Sequence, residues 1–341
     1  MRQLLCVSLA FAVCCSACEH RDDGATLVVY SSVDDYVLNE VVQAFEDETG
    51  IDVLIVGDTE ATKTTGLVQR LIAERAAPRA DVWWSSEPFG TMRLAREGVL
   101  EEIDPPIEQW PAAHLDPEGR WVALALRARV VVYAPDRVDE ADLPRDLRAY
   151  AESDWPARFG IADPRFGTTR GHIAALASAW GLEAMGEWLA RMEEGGMRIY
   201  DGNASVVRAV ALGEIDAGLT DTDDVFAARE AGLDVGMWIP SMSDQPSGEA
   251  WRGVSLVLPN TAGVIAGCTH PELANRFVSF LVGGRAESVM AASASRNWPV
   301  GIGVTPPEGW VCPPLLGMPM LSDISLIEGD AARIADAVLV N

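Results

Sequence analysis

The stretch LVVYSSVDDYVLNEVVQAFEDETGIDVLIV, residues 27–56, decides the fold. Leu27 to Tyr30 is a short apolar run of the kind that forms a buried strand, closed by Ser31-Ser32. Val37, Leu38, Val41, Val42 and Phe45 follow at helical spacing, and Thr49-Gly50 stops that helix. Ile51 to Val56 is strand again. Strand, helix, strand in so few residues predicts an α/β lobe built on a largely parallel sheet.

The same alternation continues outward. Glu60 to Ala77 reads as a helix with Leu67, Leu71 and Ile72 on its apolar face, ended at Pro78. Ala80 to Trp84 is a third strand, and a helix follows near Phe89–Glu97. In such sheets, ligands bind beyond the carboxyl ends of the strands. Those ends are all polar here, and they supply the first candidate ligand-binding residues: Ser32, Asp34, Thr59, Glu60, Lys63, Ser86 and Glu87. Trp121 to Tyr133, interrupted only by Arg127 and Arg129, predicts a strand that crosses between two lobes. A second α/β set follows, with strands at 158–163, 197–200 and 215–219 and helices at 169–180, 183–194, 205–212 and 225–231. Gly253 to Leu258 is expected to cross back, ended by Pro259-Asn260, with helices near Pro271–Leu281 and Arg285–Ala294 rejoining the first lobe. The expected division is lobe 1 at 27–126, lobe 2 at 127–258 and a return to lobe 1 at 259–341. Two crossings predict a hinge.

Residues 1–18 read as an export signal: Arg2, an apolar run from Leu4 to Val13, then small residues before a cysteine, Ser16-Ala17-Cys18. That junction is similar to a bacterial lipoprotein signal, with Cys18 as the acylated residue and 19–26 as a tether. The expected location is the periplasm or cell envelope. Beyond it only Cys268 and Cys312 remain, which permits one disulfide or two buried thiols. The four histidines are scattered, and no Cys or His cluster has zinc spacing. A formal charge of −25 excludes nucleic acid and anionic membrane surfaces as partners and favours cations. No GxSxG elbow, P-loop or HExxH motif is present, so no enzyme is expected.

Within this frame a few residues carry chemistry. Lys63 is the only lysine among 26 basic residues, a compact ammonium in a chain of guanidinium forks. Asp221, Asp223 and Asp224 form a carboxylate cluster where a strand meets a helix; one aspartate caps a helix, but three in four positions exceed what a cap requires. They are candidate ligands for a hard cation, paired with Asp34, Glu60 or Glu87 from the other lobe. Arg127 and Arg129, two apart on a strand, share a face, where a planar fork suits a carboxylate, carbonate or phosphate, or an interlobe salt bridge. Thr168-Thr169-Arg170-Gly171-His172 opens a helix whose free N–H groups suit an anion or an ordinary cap, and Asn203 is a cap or a donor. Trp84 and Trp298 are candidate walls of the cleft, with a core role as the alternative.

Seven segments resemble the extracellular solute-binding proteins of ABC importers, particularly the ferric-ion-binding branch. They are residues 28–53, DTEATKTTGLVQRLIAE (58–74), RADVWWSSE (79–87), RARVVVYAP (127–135), DPRFGTTRGH (163–172), 201–224 and SRNWPV (295–300). The resemblance implies a two-lobed periplasmic-binding-protein-like (type II) fold, an expected monomer, that captures a small solute between hinged lobes and delivers it to a membrane permease. It implies iron(III) as first ligand, held by Asp223 and Asp224 with Glu60, and carbonate or phosphate as co-ligand on Arg127. Ferric-binding relatives carry adjacent tyrosines where this chain reads Asp223-Asp224, which opens other hard cations as ligands. Tyr36 lies one residue from where some relatives place another ligand. The alternative ligand is a small organic phosphonate or phosphate ester, held by Lys63, Arg127 and the Thr-rich helix starts.

Overall fold

The structure, a computed structural model, describes residues 26–58, 64–104, 110–152, 158–242, 251–314 and 316–339. The signal, Cys18, the tether up to residue 25, and the candidates Thr59, Glu60 and Lys63 therefore lie outside the described residues. The first half opens with β1 (Thr26–Ser31), α1 (Asp35–Thr49), β2 (Asp52–Gly57), α2 (Thr65–Glu74), β3 (Val82–Ser85) and α3 (Pro88–Arg96). Gly50, at φ 69°, closes α1 in the left-handed conformation, where its N–H bonds the Glu46 carbonyl. β1 pairs in parallel with β2 on one side and β3 on the other.

The second half repeats the pattern with β4 (Val122–Tyr133), β5 (Phe159–Ala162), α4 (Gly167–Trp180), α5 (Leu182–Glu194), β6 (Arg198–Tyr200), α6 (Asn203–Ala211), β7 (Ala217–Asp221), α7 (Thr222–Glu230) and β8 (Gly236–Trp238). The chain ends with β9 (Val257–Val264), α8 (Pro271–Leu281), α9 (Gly284–Ala292) and α10 (Met318–Leu339). The strand order is β2-β1-β3-β9-β4-β7-β5-β6, with β8 on β4.

β4 is the strand that joins the halves. Val122 to Ala128 pair antiparallel with β9, Arg129 to Tyr133 pair with β7, and Val131 to Tyr133 also pair with β8. The switch is marked by a bulge: Leu124 opposes Asn260, Leu126 opposes Pro259, and Ala125 between them has φ +44°. This arrangement corrects the reading of the return strand. Pro259-Asn260 does not end it; β9 runs through both, because a proline without an N–H is tolerated opposite a bulge. A further link joins the halves, since Leu126 and Trp298 exchange both backbone hydrogen bonds at 2.7 Å.

Three apolar clusters fill the layers. One packs α1, α8 and α9 on the β1–β3 side around Phe45, Trp84 and Phe277. A second packs α6 and α7 on the later half of β4 around Val130, Val132 and Phe226. The largest is continuous across the halves: Trp83 and Phe89 from the first meet Ile173, Leu176 and Trp188 from the second, with Leu321, Ile324, Ala331 and Ala335 of α10. α10 lies chiefly on α4 and α5 and also touches α3. Each large apolar side chain taken out of water here contributes roughly 1.5–3 kcal/mol. Among the described residues, no helix is long and apolar enough to cross a membrane.

Candidate metal centre

The carboxyl ends of five strands meet at one place. β7 ends at Asp221, and the first turn of α7 carries Asp223 and Asp224 beside the positive end of that helix. Across from them, Asp34 precedes α1 and Ser86 follows β3. Asp163 follows β5, and Asp201 follows β6. With Arg127, Phe166, Gly167, Thr168, Thr169 and Asn203 these residues line a cavity of about 30 Å³. That is space enough for an ion or a few water molecules. Asp34, Asp201 and Asp224 also line a wider cleft of about 780 Å³, together with Ser32, Tyr36, Asp58 and Arg208.

Both arginines of β4 turn toward the aspartates, as residues two apart on a strand must. Arg127 places Nε 3.3 Å from Asp221 Oδ2 and Nη1 3.3 Å from Asp223 Oδ2. Arg129, directly opposite Asp221 in the ladder, donates from Nη1 to Asp221 Oδ1 at 2.9 Å. It also donates to Thr168, Asn203 and, through Nε at 3.1 Å, to His172 Nδ1. Burial, reinforced by Arg129, holds His172 well below its ordinary pKa, so the imidazole is a neutral acceptor. Asp221 takes further hydrogen bonds from Thr168 Oγ1 at 2.6 Å and Asn203 Nδ2 at 2.9 Å. Burial opposes the charge on Arg127, but Asp223, Asp221, Asp34 and Asp224 outweigh it and raise its pKa.

One oxygen from each of Asp221, Asp223 and Asp224 lies within 4.8 Å of the others, close enough to share one ion. The Tyr36 phenol is held protonated, first by burial and then by the negative field of Asp223, Asp34 and Asp224. A multivalent cation among those carboxylates would reverse that field and favour the phenolate.

The sequence candidates separate clearly. Asp34, Ser86, Arg127, Thr169, Asn203, Asp223 and Asp224 line the inner cavity. Ser32 lines only the wider cleft, and its hydroxyl is spent on Ser85 and Ser86, bracing the ends of β1 and β3. Glu87 requires a correction. It is buried and accepts from the N–H groups of Phe89 and Gly90, so it caps α3 instead of facing the cavity. Arg127 lines the cavity with its fork against Asp221 and Asp223, a salt bridge within its own half. Trp84 is a core residue and Trp298 packs against Trp310; neither walls the cavity. Cys268 and Cys312 are free thiols. Asp163, Asp201 and the hub role of Arg129 were not singled out by motif; the strand-end rule alone points to both aspartates.

A profile of the bacterial extracellular solute-binding proteins matches residues 40–311. The Fe(3+)-binding periplasmic protein of Serratia marcescens is 25% identical over 295 residues, covering 81% of this chain and 79% of that protein. The major ferric iron-binding protein of Neisseria meningitidis serogroup B is 28% identical over 280 residues, covering 79% of each. Among solved structures, iron-bound HitA from Pseudomonas aeruginosa superposes with a TM-score of 0.79 at 26% identity, covering 92% of this chain and 99% of that one.

Proposed function

The chain belongs to the bacterial extracellular solute-binding protein family, and from that premise we propose that it captures a hard metal cation, iron(III) first, for an ABC importer. The observation that carries this reading is the inner cavity, walled by Asp34, Asp221, Asp223 and Asp224, where one oxygen from each of the last three lies within 4.8 Å of the others. Oxygen donors of this kind select hard cations. The ferric relatives and the iron-bound neighbour support iron as the first choice. Asp223, Asp224 and Asp34 are assigned as donors, with Tyr36 completing the set once a cation is present. Thr59 and Lys63 as ligand contacts, and Glu60 as a further metal donor, are proposed from the sequence alone, since they lie outside the described residues. The lobes, 27–126 with 259–341 and 127–258, with α10 of the returning part lying chiefly on α4 and α5 of the second lobe, close on the cation by hinge motion. Cys18 anchors the protein by a lipid, and a permease in the cytoplasmic membrane receives the cargo.

The phosphate-ester reading is disfavoured by charge, since the cavity presents carboxylates. The test is a titration of iron(III) and manganese(II) against the Asp223→Asn, Asp224→Asn double variant. Removing two ligand charges is expected to weaken binding by at least about 100-fold, some 2.7 kcal/mol, with little change in thermal stability because asparagine is well tolerated in a helix's first turn. Unchanged or tighter metal binding, or binding of a phosphate ester by the wild type, would overturn the reading.

A further inference from the structure

We infer that this site takes its cation without a co-bound external anion, because Asp221 and Asp223 already occupy the guanidinium face of Arg127 on which such an anion would sit. The inference rests on the metal-capture reading above and deepens it.

Arg127 is 4% exposed, and carboxylate oxygens of Asp221 and Asp223 stand 3.3 Å from its Nε and Nη1 as ion pairs, with Nε making no hydrogen bond. Arg129 offers no alternative berth. Its Nε is given to His172 and its Nη1 to Thr168, Asn203 and Asp221, leaving Nη2 with a contact to Thr169 at 3.5 Å. The amino ends of α4 and α6 meet at the same cavity and favour negative charge. The polar side chains there, Thr168 and Asn203, donate to Asp221 Oδ2. The anion that these helix ends and both guanidinium groups call for is thus Asp221 itself. It is fixed by two arginines and two hydrogen-bond donors, so it serves as counter-ion while Asp223 and Asp224, one turn further on, face the cation. An incoming carbonate or phosphate would displace one of these contacts. It would also enter a cavity lined, among the described residues, by Asp34, Asp163, Asp201, Asp221, Asp223 and Asp224, with Arg127 as the only basic side chain. Asp163 is partly offset by Arg165.

The experiment loads apoprotein with iron(II) chloride under CO2-free oxygen, which oxidises it to iron(III), in buffer stripped of carbonate and phosphate, and in parallel with either anion added. Iron retained after gel filtration is measured by elemental analysis, together with phosphorus, and carbonate is sought by infrared difference spectra. Equal iron retention in both buffers is expected, with neither anion retained. Asp221→Asn keeps the shape and removes the built-in charge. Its iron retention is expected to fall about tenfold or more without added anion and to recover with bicarbonate or phosphate. If the Asp221 variant does not fold, the comparison of the wild type in the two buffers decides the inference on its own. Iron retained by the wild type only when an anion is added overturns the inference and leaves metal capture standing. No iron retained in either buffer overturns both.

Discussion

Glu87 illustrates how far residue type alone can be read. A carboxylate at the end of a strand is equally a ligand or a cap, and the choice is made by backbone geometry that composition does not encode. Here the extended backbone of Glu87 turns its side chain onto the N–H groups of Phe89 and Gly90. Burial is the main reason its pKa rises from the ordinary 4.5 to about 8, helped by Glu328 and opposed by the two N–H donors and Arg127. The sign of the consequence follows from proton linkage. Between about 4.5 and 8 the folded chain holds a proton that the unfolded chain has lost, so stability present at low pH declines as pH rises through 8. Glu87→Gln, neutral throughout, is expected to flatten that decline: melting temperatures of wild type and variant, followed from pH 5 to 9, should converge or cross. A constant difference would remove the buried carboxyl from the account. By contrast, Asp34, Asp223 and Asp224 were legible, because they stand at strand ends where ligands gather. Tyr36 was legible only in part, since its place in the first turn of α1 does not say that the ring reaches the acidic cluster.

At the scale of elements, the alternation of strands and helices in the sequence matches the structure down to most boundaries, and the exceptions have physical causes. β9 passes through Pro259 because its partner bulges, a cross-strand fact invisible in the strand itself. α10 does have apolar residues at helical spacing, Leu321, Ile324, Ala331 and Ala335, but alanines and Gly329 dilute the pattern. The bulge at Ala125 is held from both sides. Its N–H donates to Glu287 Oε1 at 3.2 Å, and its carbonyl accepts from Asn260 Nδ2 at 2.7 Å. Glu287, buried in α9, also takes the N–H groups of Val300 and Gly301, so one carboxylate fastens two of the links between the halves. Alanine at φ +44° is strained by about 1 kcal/mol, a strain that glycine does not feel. Ala125→Gly is therefore expected to leave stability unchanged or raise it by up to about 1 kcal/mol. Glu287→Ala, which orphans the buried N–H of Ala125 and the half-buried ones of Val300 and Gly301, should lower it by about 2 kcal/mol or more. Chemical denaturation of both variants checks the pair. A destabilising Ala125→Gly would show that the bulge is held without strain.

The whole molecule depends on the two halves meeting, and one glycine controls how closely they do. Gly171 sits in the second turn of α4, where an added Cβ would lie 2.3 Å from the Phe89 ring of α3. Phe89 is fully buried within the cluster that is continuous across the halves, so its ring has no solvent to retreat into. The neighbouring Arg170 extends the same seam through an ion pair with Glu328 of α10 at 3.1 Å. Gly171→Ala stabilises an isolated helix by about 1 kcal/mol, so a loss of function in this variant cannot be assigned to a weaker α4. What it opposes is the approach of α3 to α4. The metal donors are drawn from both sides of that approach, Asp34 from one half and Asp223 and Asp224 from the other. Holding the halves apart therefore separates ligands without altering any of them. Gly171→Ala is expected to weaken cation binding about tenfold or more, the equivalent of about 1.4 kcal/mol of closure, and to keep the radius of gyration of the metal-loaded protein near that of the open form. Small-angle scattering on both proteins, with and without iron, measures this directly. Wild-type compaction retained in full by the variant would place the hinge contact elsewhere than at Phe89 and Gly171.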